Sequence, residues 1–265
     1  MRLGVLADVH GNLHALDATL DFLASQDLDG YVCAGDLVGY GPFPNECARR
    51  VASLGALCVA GNHDLMAIGR LGDERCVAVA RTTMRWTRTA LEDDVRALLA
   101  SLPLDARRDG VTVHHGAIGD PTRYVLDEQQ ALRSLEALAT AEPGARVLVL
   151  GHTHHPMAVG LRRGLLLRDA EGAVALTDDE PILLNPGAVG QSRTRDPRAR
   201  ALVLDLTERV ARFHALDYDV AGCRRALRDR GLPKEACHLR RPRWERALGA
   251  AKRRVARARR APTRR

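Results

Sequence analysis

Five short apolar runs in this chain each end in residues that bind divalent metal ions. Leu3–Ala7 leads into Asp8-Val9-His10, Tyr31–Ala34 into Gly35-Asp36, and Leu57–Ala60 into Gly61-Asn62-His63-Asp64. Val111–Val113 leads into His114-His115-Gly116, and Val147–Leu150 into Gly151-His152-Thr153-His154. Asp8 and His10 stand two apart in a turn, where both can face one ion. Asp36 has two carboxylate oxygens and could bridge two ions. Asn62 offers a neutral oxygen, and His115, His152 and His154 offer imidazoles. This mixed nitrogen and oxygen set suits manganese, iron, nickel or zinc and contains no thiolate. Two ions held roughly 4 Å apart can bind a phosphoryl group and polarise a water between them.

Taken singly, these pieces have structural explanations. Asp8 can cap a turn, Gly35-Asp36 is a common turn, and Asn and Asp favour turns generally. Gly151-His152-Thr153-His154 is more specific, because two histidines directly after a buried strand have little structural purpose. Of the two histidines ending the fourth run, His115 is the ligand candidate because it precedes Gly116; His114 belongs to the strand or stands behind the ligands. His14 and His155 fall outside the ligand set, and His214 and His238 have no motif. The weight lies in the joint pattern: each candidate follows a run that reads as a buried strand. In open α/β sheets, sites form at the carboxyl ends of strands.

The elements between the runs fit that arrangement. Leu13, Leu16, Leu20 and Leu23 share a helical face after the first run, with Asn12 placed to cap it. A Gly/Pro-rich loop, 35–44, follows the second run, and a helix over 44–54 starts at Pro44. The pattern over 74–102 is helical with a break near 91–94, and another helix is expected over 128–139. After Pro156 the texture changes to short apolar pieces separated by turns, which predicts a second, mostly antiparallel sheet packed on the first. A last helix is expected over 218–230.

Composition bounds the class. The chain has 265 residues, enough for one large domain, and 46% are hydrophobic but only 3% aromatic, so aliphatic side chains must fill the core. No apolar run approaches the ~20 residues of a membrane span. The first strand begins directly after Met1-Arg2, which with the scattered cysteines (no C-x-x-C pair) leads us to expect a cytoplasmic protein. The net charge of +7 misleads. Of 40 Lys and Arg residues, twelve lie in 240–265 beside one acid, Glu245; the remaining 28 face 32 acids, a net charge of −4. The basic excess is a property of the tail, expected to be helical or disordered. Such a tail could bind nucleic acid through counterion release, although Trp244 is its only aromatic and no stacking surface is evident.

The motifs Asp8-x-His10, Gly35-Asp36, Gly61-Asn62-His63-Asp64, His115-Gly116 and Gly151-His152-x-His154 resemble the five motifs of the calcineurin-like metallophosphoesterases. Gly35–Pro42, Leu184–Gln191 and Asp196-Pro197-Arg198 are similar to a bacterial and archaeal branch of small phosphodiesterases. The resemblance covers residues 1–235 and leaves the 240–265 tail outside. It implies an α/β fold, a four-layer α/β/β/α sandwich of two stacked mixed sheets. It implies one ion held by Asp8, His10, Asp36 and His154 and another by Asp36, Asn62, His115 and His152. Asp36 and a hydroxide would bridge them, the hydroxide acting as nucleophile and His63 as general acid. Protein phosphatases of the superfamily carry Gly-Asp-x-Val-Asp-Arg-Gly, where this chain has Gly39 and Tyr40 for the second Asp and the Arg. That substitution argues against a phosphoprotein substrate and removes the partner His63 would have had. Asp64 is adjacent, but in a tight turn it points elsewhere.

The expected activity is hydrolysis of a small nucleotide or other diester. Arg193, with Arg195 beyond the Asn185-Pro186-Gly187 turn, is a candidate for binding substrate, although either can be an ordinary loop cation. Specificity is expected to lie in the loops over 65–75 and 118–127. A nuclease using the tail is the alternative. A scaffold that has lost its metals is disfavoured, because every ligand position is filled.

Overall fold

The computed structural model describes residues 1–239; the Arg-rich tail lies outside the described residues. In chain order the strands are β1 (Arg2–Leu6), β2 (Gly30–Cys33), β3 (Leu57–Cys58), β4 (Asp105–Arg108), β5 (Val111–His114) and β6 (Val147–Val149). They continue as β7 (Met157–Gly160), β8 (Gly164–Arg168), β9 (Gly172–Ala175), β10 (Ile182–Asn185), β11 (Ala199–Asp205) and β12 (Val210–Leu216). The helices are α1 (Leu13–Ala24), α2 (Pro44–Ser53), α3 (Asn62–Ala67), α4 (Ala78–Ala90), α5 (Asp93–Ser101), α6 (Glu128–Ala141) and α7 (Val220–Asp229). A 3-10 turn, Lys234–Cys237, follows α7.

The strands form two mixed six-stranded sheets, ordered β3-β2-β1-β11-β12-β9 and β4-β5-β6-β10-β7-β8. Strand alternation builds the layers. In and after β1, Leu3, Val5 and Ala7 face the second sheet, where they meet Val113, Val149 and Leu184. Leu6 and Val9 face the other way, onto Leu16, Leu20 and Leu23 of α1. On the second sheet Leu148, Leu150 and Leu183 point outward to Ala131, Leu135 and Leu138 of α6. The result is the four-layer α/β/β/α sandwich. The aliphatic core follows from the composition: each fully buried Leu contributes about 2 kcal/mol of transfer energy.

The two sheets do not divide the chain as its texture suggests. The strands after Pro156 are shared between both sheets: β7, β8 and β10 join β4–β6, whereas β9, β11 and β12 extend β1–β3. The reason is edge pairing. β2 covers one side of β1 in parallel, and β11 covers the other antiparallel, from Arg2↔Asp205 to Val5↔Leu202. β4 also lacks an apolar signal, because Asp-Ala-Arg-Arg is an exposed, charged edge strand.

Beyond the strand ends the backbone stays paired. Asp8, His10 and Gly11 donate to the carbonyls of Gly35, Asp36 and Leu37 at 2.9–3.0 Å. On the opposite side Val189 and Gly190 donate to the carbonyls of Ala7 and Asp8, both at 3.0 Å. Asn12 caps α1 by accepting from the Ala15 N–H (3.2 Å), and its amide donates to the Gly190 carbonyl (2.8 Å). A Cβ added at Gly190 would lie 1.8 Å from the Val9 carbonyl oxygen. Gly190→Ala is therefore expected to cost about 2–3 kcal/mol of stability by forcing these loops apart. Chemical denaturation of the variant, with an unchanged midpoint as the contrary result, checks this.

Candidate metal centre

The candidate ligands come from both sheets. Asp8 and His10 follow β1, Asp36 follows β2, and Asn62 opens α3 just after β3. His115 follows β5, and His152 and His154 follow β6 in the second sheet. The site therefore straddles the seam between the sheets at their carboxyl ends. All seven side chains are buried. Their donor atoms fall into two groups, Asp8, His10 and His154 in one and Asp36, His115 and His152 in the other, each within 4.8 Å. Asn62 Oδ1 joins the second group, 3.0 Å from His115 Nε2. Asp36 Oδ2 stands between the groups, 3.5 Å from His10 Nε2 and 3.2 Å from His115 Nε2.

The backbone adopts an unfavourable conformation to present these atoms. Asp8, His10, Asp36, His152 and His154 have φ between 50° and 63°, as does Tyr40 at 57°. Such left-handed residues cost of order 1 kcal/mol each and cluster at functional sites. Backbone carbonyls fix the imidazoles. His10 Nδ1 donates to Val38 (3.1 Å), His115 Nδ1 to Ala34 (2.7 Å) and His154 Nδ1 to Gln191. His152 is reversed, donating through Nε2 to Thr122 (3.0 Å). Fixing one nitrogen as donor leaves the other as a lone pair.

Several buried atoms then lack a proton partner. His10 Nε2 and His154 Nε2 face each other at 3.2 Å, both as acceptors. Asp8 Oδ1 accepts from the His152 N–H (3.1 Å) and Asp36 Oδ1 from the His63 N–H (2.7 Å), yet Oδ2 of each has no hydrogen-bond partner. Unpartnered carboxylate oxygens and opposed lone pairs repel unless cations stand among them. The donor set thus fits two divalent ions.

The protonation of these side chains agrees. Burial, with neighbouring positive groups, pushes His10 and His154 well below the usual histidine range and His152 down to about 3, so these imidazoles are neutral. His115 is the exception. Burial opposes its charge, but Asp36, Asp8 and the Ala34 carbonyl together outweigh burial and raise it to about 9. Burial raises Asp8 despite His115.

Asp64 has a role that its sequence did not suggest. It points away from the ligands, as a tight turn requires, but it organises them. Its carboxylate accepts from the N–H groups of Gly61 (2.9 Å), Asp36 (2.8 Å), Leu37 (2.8 Å) and Val38 (3.2 Å). The loops after β2 and β3 are thereby clamped together. An Asp three residues after a Gly at a helix start is a capping signal and could have marked it.

His63 lies against the site without joining either ligand group. Its ring stands edge-on to His10 and tilted against Tyr40, both 4.8 Å between centroids. Its Nδ1 is buried without a partner among the described residues and faces Gly39, where a Cβ would sit 2.5 Å away. Burial, with Arg193 and His115, lowers its pKa to about 4. Half-buried Arg193 donates to Gln191 Oε1 (3.2 Å), Tyr124 Oη (3.2 Å) and the His152 carbonyl (3.4 Å). Tyr124, also unsuspected from sequence, stacks on His152 at 3.9 Å and 15°. The Asn185-Pro186-Gly187 turn works behind the ligands: Asn185 donates to the Gly151 carbonyl (2.7 Å) and Thr153 Oγ1 (3.1 Å). His114 ends β5, and His155 pairs with Asp169 at 2.7 Å; neither joins a ligand group.

Imidazoles locked by backbone carbonyls, beside buried carboxylates, make a donor set for divalent ions. Residues 1–209 match the calcineurin-like phosphoesterase superfamily domain, and the chain belongs to that family: it is a metal-dependent phosphoesterase. A metallophosphoesterase from Sphaerobacter thermophilus superposes with a TM-score of 0.76 at 31% identity, covering 89% of this chain and 97% of that one. A hypothetical protein from Pyrococcus horikoshii shares the fold (TM-score 0.73, 19% identity, 89% and 96% covered). An uncharacterized protein from Methanocaldococcus jannaschii is 28% identical over 224 residues, 82% of this chain and 88% of that one.

Two outcomes test the site. Asp64→Ala strands four N–H groups and is expected to cost at least about 3 kcal/mol. Urea denaturation and metal content should both report the loss. Metal binding must also displace the proton on His115. Affinity should therefore rise with pH up to about 9, because the proton competes below that value and leaves above it. Titration calorimetry at pH near 7.5 in buffers of different ionisation enthalpy should show net proton release; none would contradict the charge assignment.

Proposed function

We propose that residues 1–235 form a dinuclear-metal phosphodiesterase acting on a small nucleotide or another diester. One ion would be held by Asp8, His10, Asp36 and His154, the other by Asp36, Asn62, His115 and His152. Manganese, iron, nickel and zinc all suit these ligands, with manganese the first to try. When bound, the pair supplies a hydroxide nucleophile at neutral pH and charge stabilisation for the phosphoryl oxygens.

The observation that carries the diester reading is the charge of the cavity over the site. About 930 Å³ in volume, it is lined by Asn62, His63 and His152, with Tyr40, Met66 and Val79 among its walls. Glu74 and Arg75 offset one another, which leaves Arg193 as the cation beside the ligands. The ions would face a diester and a monoester alike; beyond them the cavity adds one net cation and mainly apolar walls, which suit a second organic substituent better than a second negative charge. Arg193 would hold the phosphoryl oxygens. His63 would give its proton to the leaving oxygen. Its imidazole is neutral in the free protein, and the negative charge of a bound diester acts against that depression. Tyr40 and Gly39 would keep the ring in place, packing where a carboxylate partner has no room.

A nuclease is the second reading, favoured by one observation: Leu239, the last described residue, lines the same cavity as His63, and in the sequence it is followed by the Arg-rich stretch 240–265. The six cysteines are free thiols, which supports a cytoplasmic setting.

Reconstitution with manganese and a comparison of bis(p-nitrophenyl) phosphate, p-nitrophenyl phosphate, cyclic nucleotides, dinucleoside polyphosphates and RNA tests the reading. A diester should be preferred, and a clear preference for the monoester would overturn it. RNA cleavage that disappears when 240–265 are removed would favour the nuclease. His63→Ala should retain metal yet lose about 10²–10⁴-fold in kcat. Asp36→Ala should lose metal as well, and retention of full metal content and activity would rule out the dinuclear scheme.

A further inference from the structure

A second cavity, about 940 Å³, adjoins the first and shares a wall with it. The shared wall is Tyr124 and Arg193, which line both. Tyr124 lies flat on His152, so the wall stands directly over a candidate metal ligand. Each cavity is large enough for a nucleoside-sized group. A phosphodiester bound at the metals has two substituents and needs two places to put them, whereas a monoester needs one.

The cavities differ in chemistry. The first is mainly apolar and contains His63. The second is rich in arginine, but most of its charge is already neutralised. Asp196 accepts from Arg198 (2.8 Å) and Arg200 (2.8 Å), and Glu171 from Arg198 (3.2 Å). Asp169 accepts from His155 (2.7 Å), and Asp127 is used to cap α6 through the Gln130 N–H (2.9 Å). With those acids engaged, Arg195 lines the cavity, exposed, and pairs with no acid among the described residues. Arg193 bonds only neutral groups. Arg168 also lines the cavity and leans on Asp169 (3.9 Å), so five arginines face four acids, and the one surplus positive charge falls beside the shared wall, at Arg193 and Arg195, two positions apart.

We infer that the second cavity is a subsite for an anionic group on the substrate arm that stays with phosphorus. The inference rests on the diesterase reading. The substrate class is an asymmetric phosphodiester. Its leaving arm, uncharged and apolar or aromatic, occupies the His63 cavity; its retained arm carries a second phosphate or a carboxylate that Arg195 receives. Water oxygen forms the new bond to phosphorus, and the bond to the leaving arm's oxygen breaks. The proton from His63 goes to that oxygen, and the retained arm departs as a phosphomonoester with its second anion intact.

Two chromogenic diesters that differ by one phosphate test this on the full-length, manganese-loaded protein. They are thymidine 5′-(p-nitrophenyl phosphate) and the same compound phosphorylated at the 3′ position. The wild type should show a KM roughly fivefold lower for the phosphorylated probe, the scale of a partly exposed ion pair, with kcat little changed. Arg195→Gln should abolish most of that preference and Arg195→Lys should keep part of it. A merely structural role for Arg195 would move both probes together and leave the preference intact, which would overturn the subsite. So would a wild type that does not distinguish the probes. If p-nitrophenyl phosphate is hydrolysed and neither diester is, the diesterase reading fails and the subsite falls with it.

Discussion

The loops after β2 and β3 lie beyond the last ladder hydrogen bond, yet they carry Asp36, Asn62 and His63. Asp64 supplies the missing connection. Its carboxylate gathers N–H groups from both loops, and the His63 N–H in turn fixes one oxygen of Asp36. The other Asp36 oxygen is thereby left facing imidazoles from both ligand groups. Buried N–H groups must find acceptors. A carboxylate with several lone-pair sites meets that demand in one side chain, where water or a string of turns would leave the loops free to drift. The spacing of the centre follows from that fixed point.

Charge is arranged with the same economy. Two carboxylates and several imidazoles are buried within a few ångströms, a combination that would repel if all were ionised. Among the side chains themselves the balance is a charged His115–Asp36 pair among neutral imidazoles, with Asp8 drawn toward its protonated form. Carbonyls of Val38, Ala34, Gln191 and Thr122 already hold the rings, so cations could replace protons there with the side chains in place.

Residue type at strand ends made the candidate ligands legible in sequence. Asp, Asn and His after buried apolar runs are conspicuous because water-seeking groups there need a purpose. Asn12 was also readable, since its capping role is local. The sharing of late strands between sheets was not, because β11 pairs with β1 across nearly two hundred positions and no periodicity encodes a partner. Tyr124 was invisible for a similar reason. It sits in a loop whose approach to His152 is set by α6 and the Thr122 carbonyl, not by its neighbours. Asp64 hid behind two better-known residues, its chemistry directed at backbone.

The left-handed turns at Asp8, Asp36, His152 and His154 have a bearing on how copies of this chain can diverge. A side chain there answers to two independent demands, one from the cation and one from the backbone. Should a descendant cease to need the reaction, the first demand lapses and the second remains. Glycine and asparagine accept this conformation readily, while valine, isoleucine and threonine resist it. Decay of the activity would then leave a recognisable trace: positions 8, 36, 152 and 154 would drift toward glycine or asparagine rather than at random. The shape of the centre would outlast its chemistry.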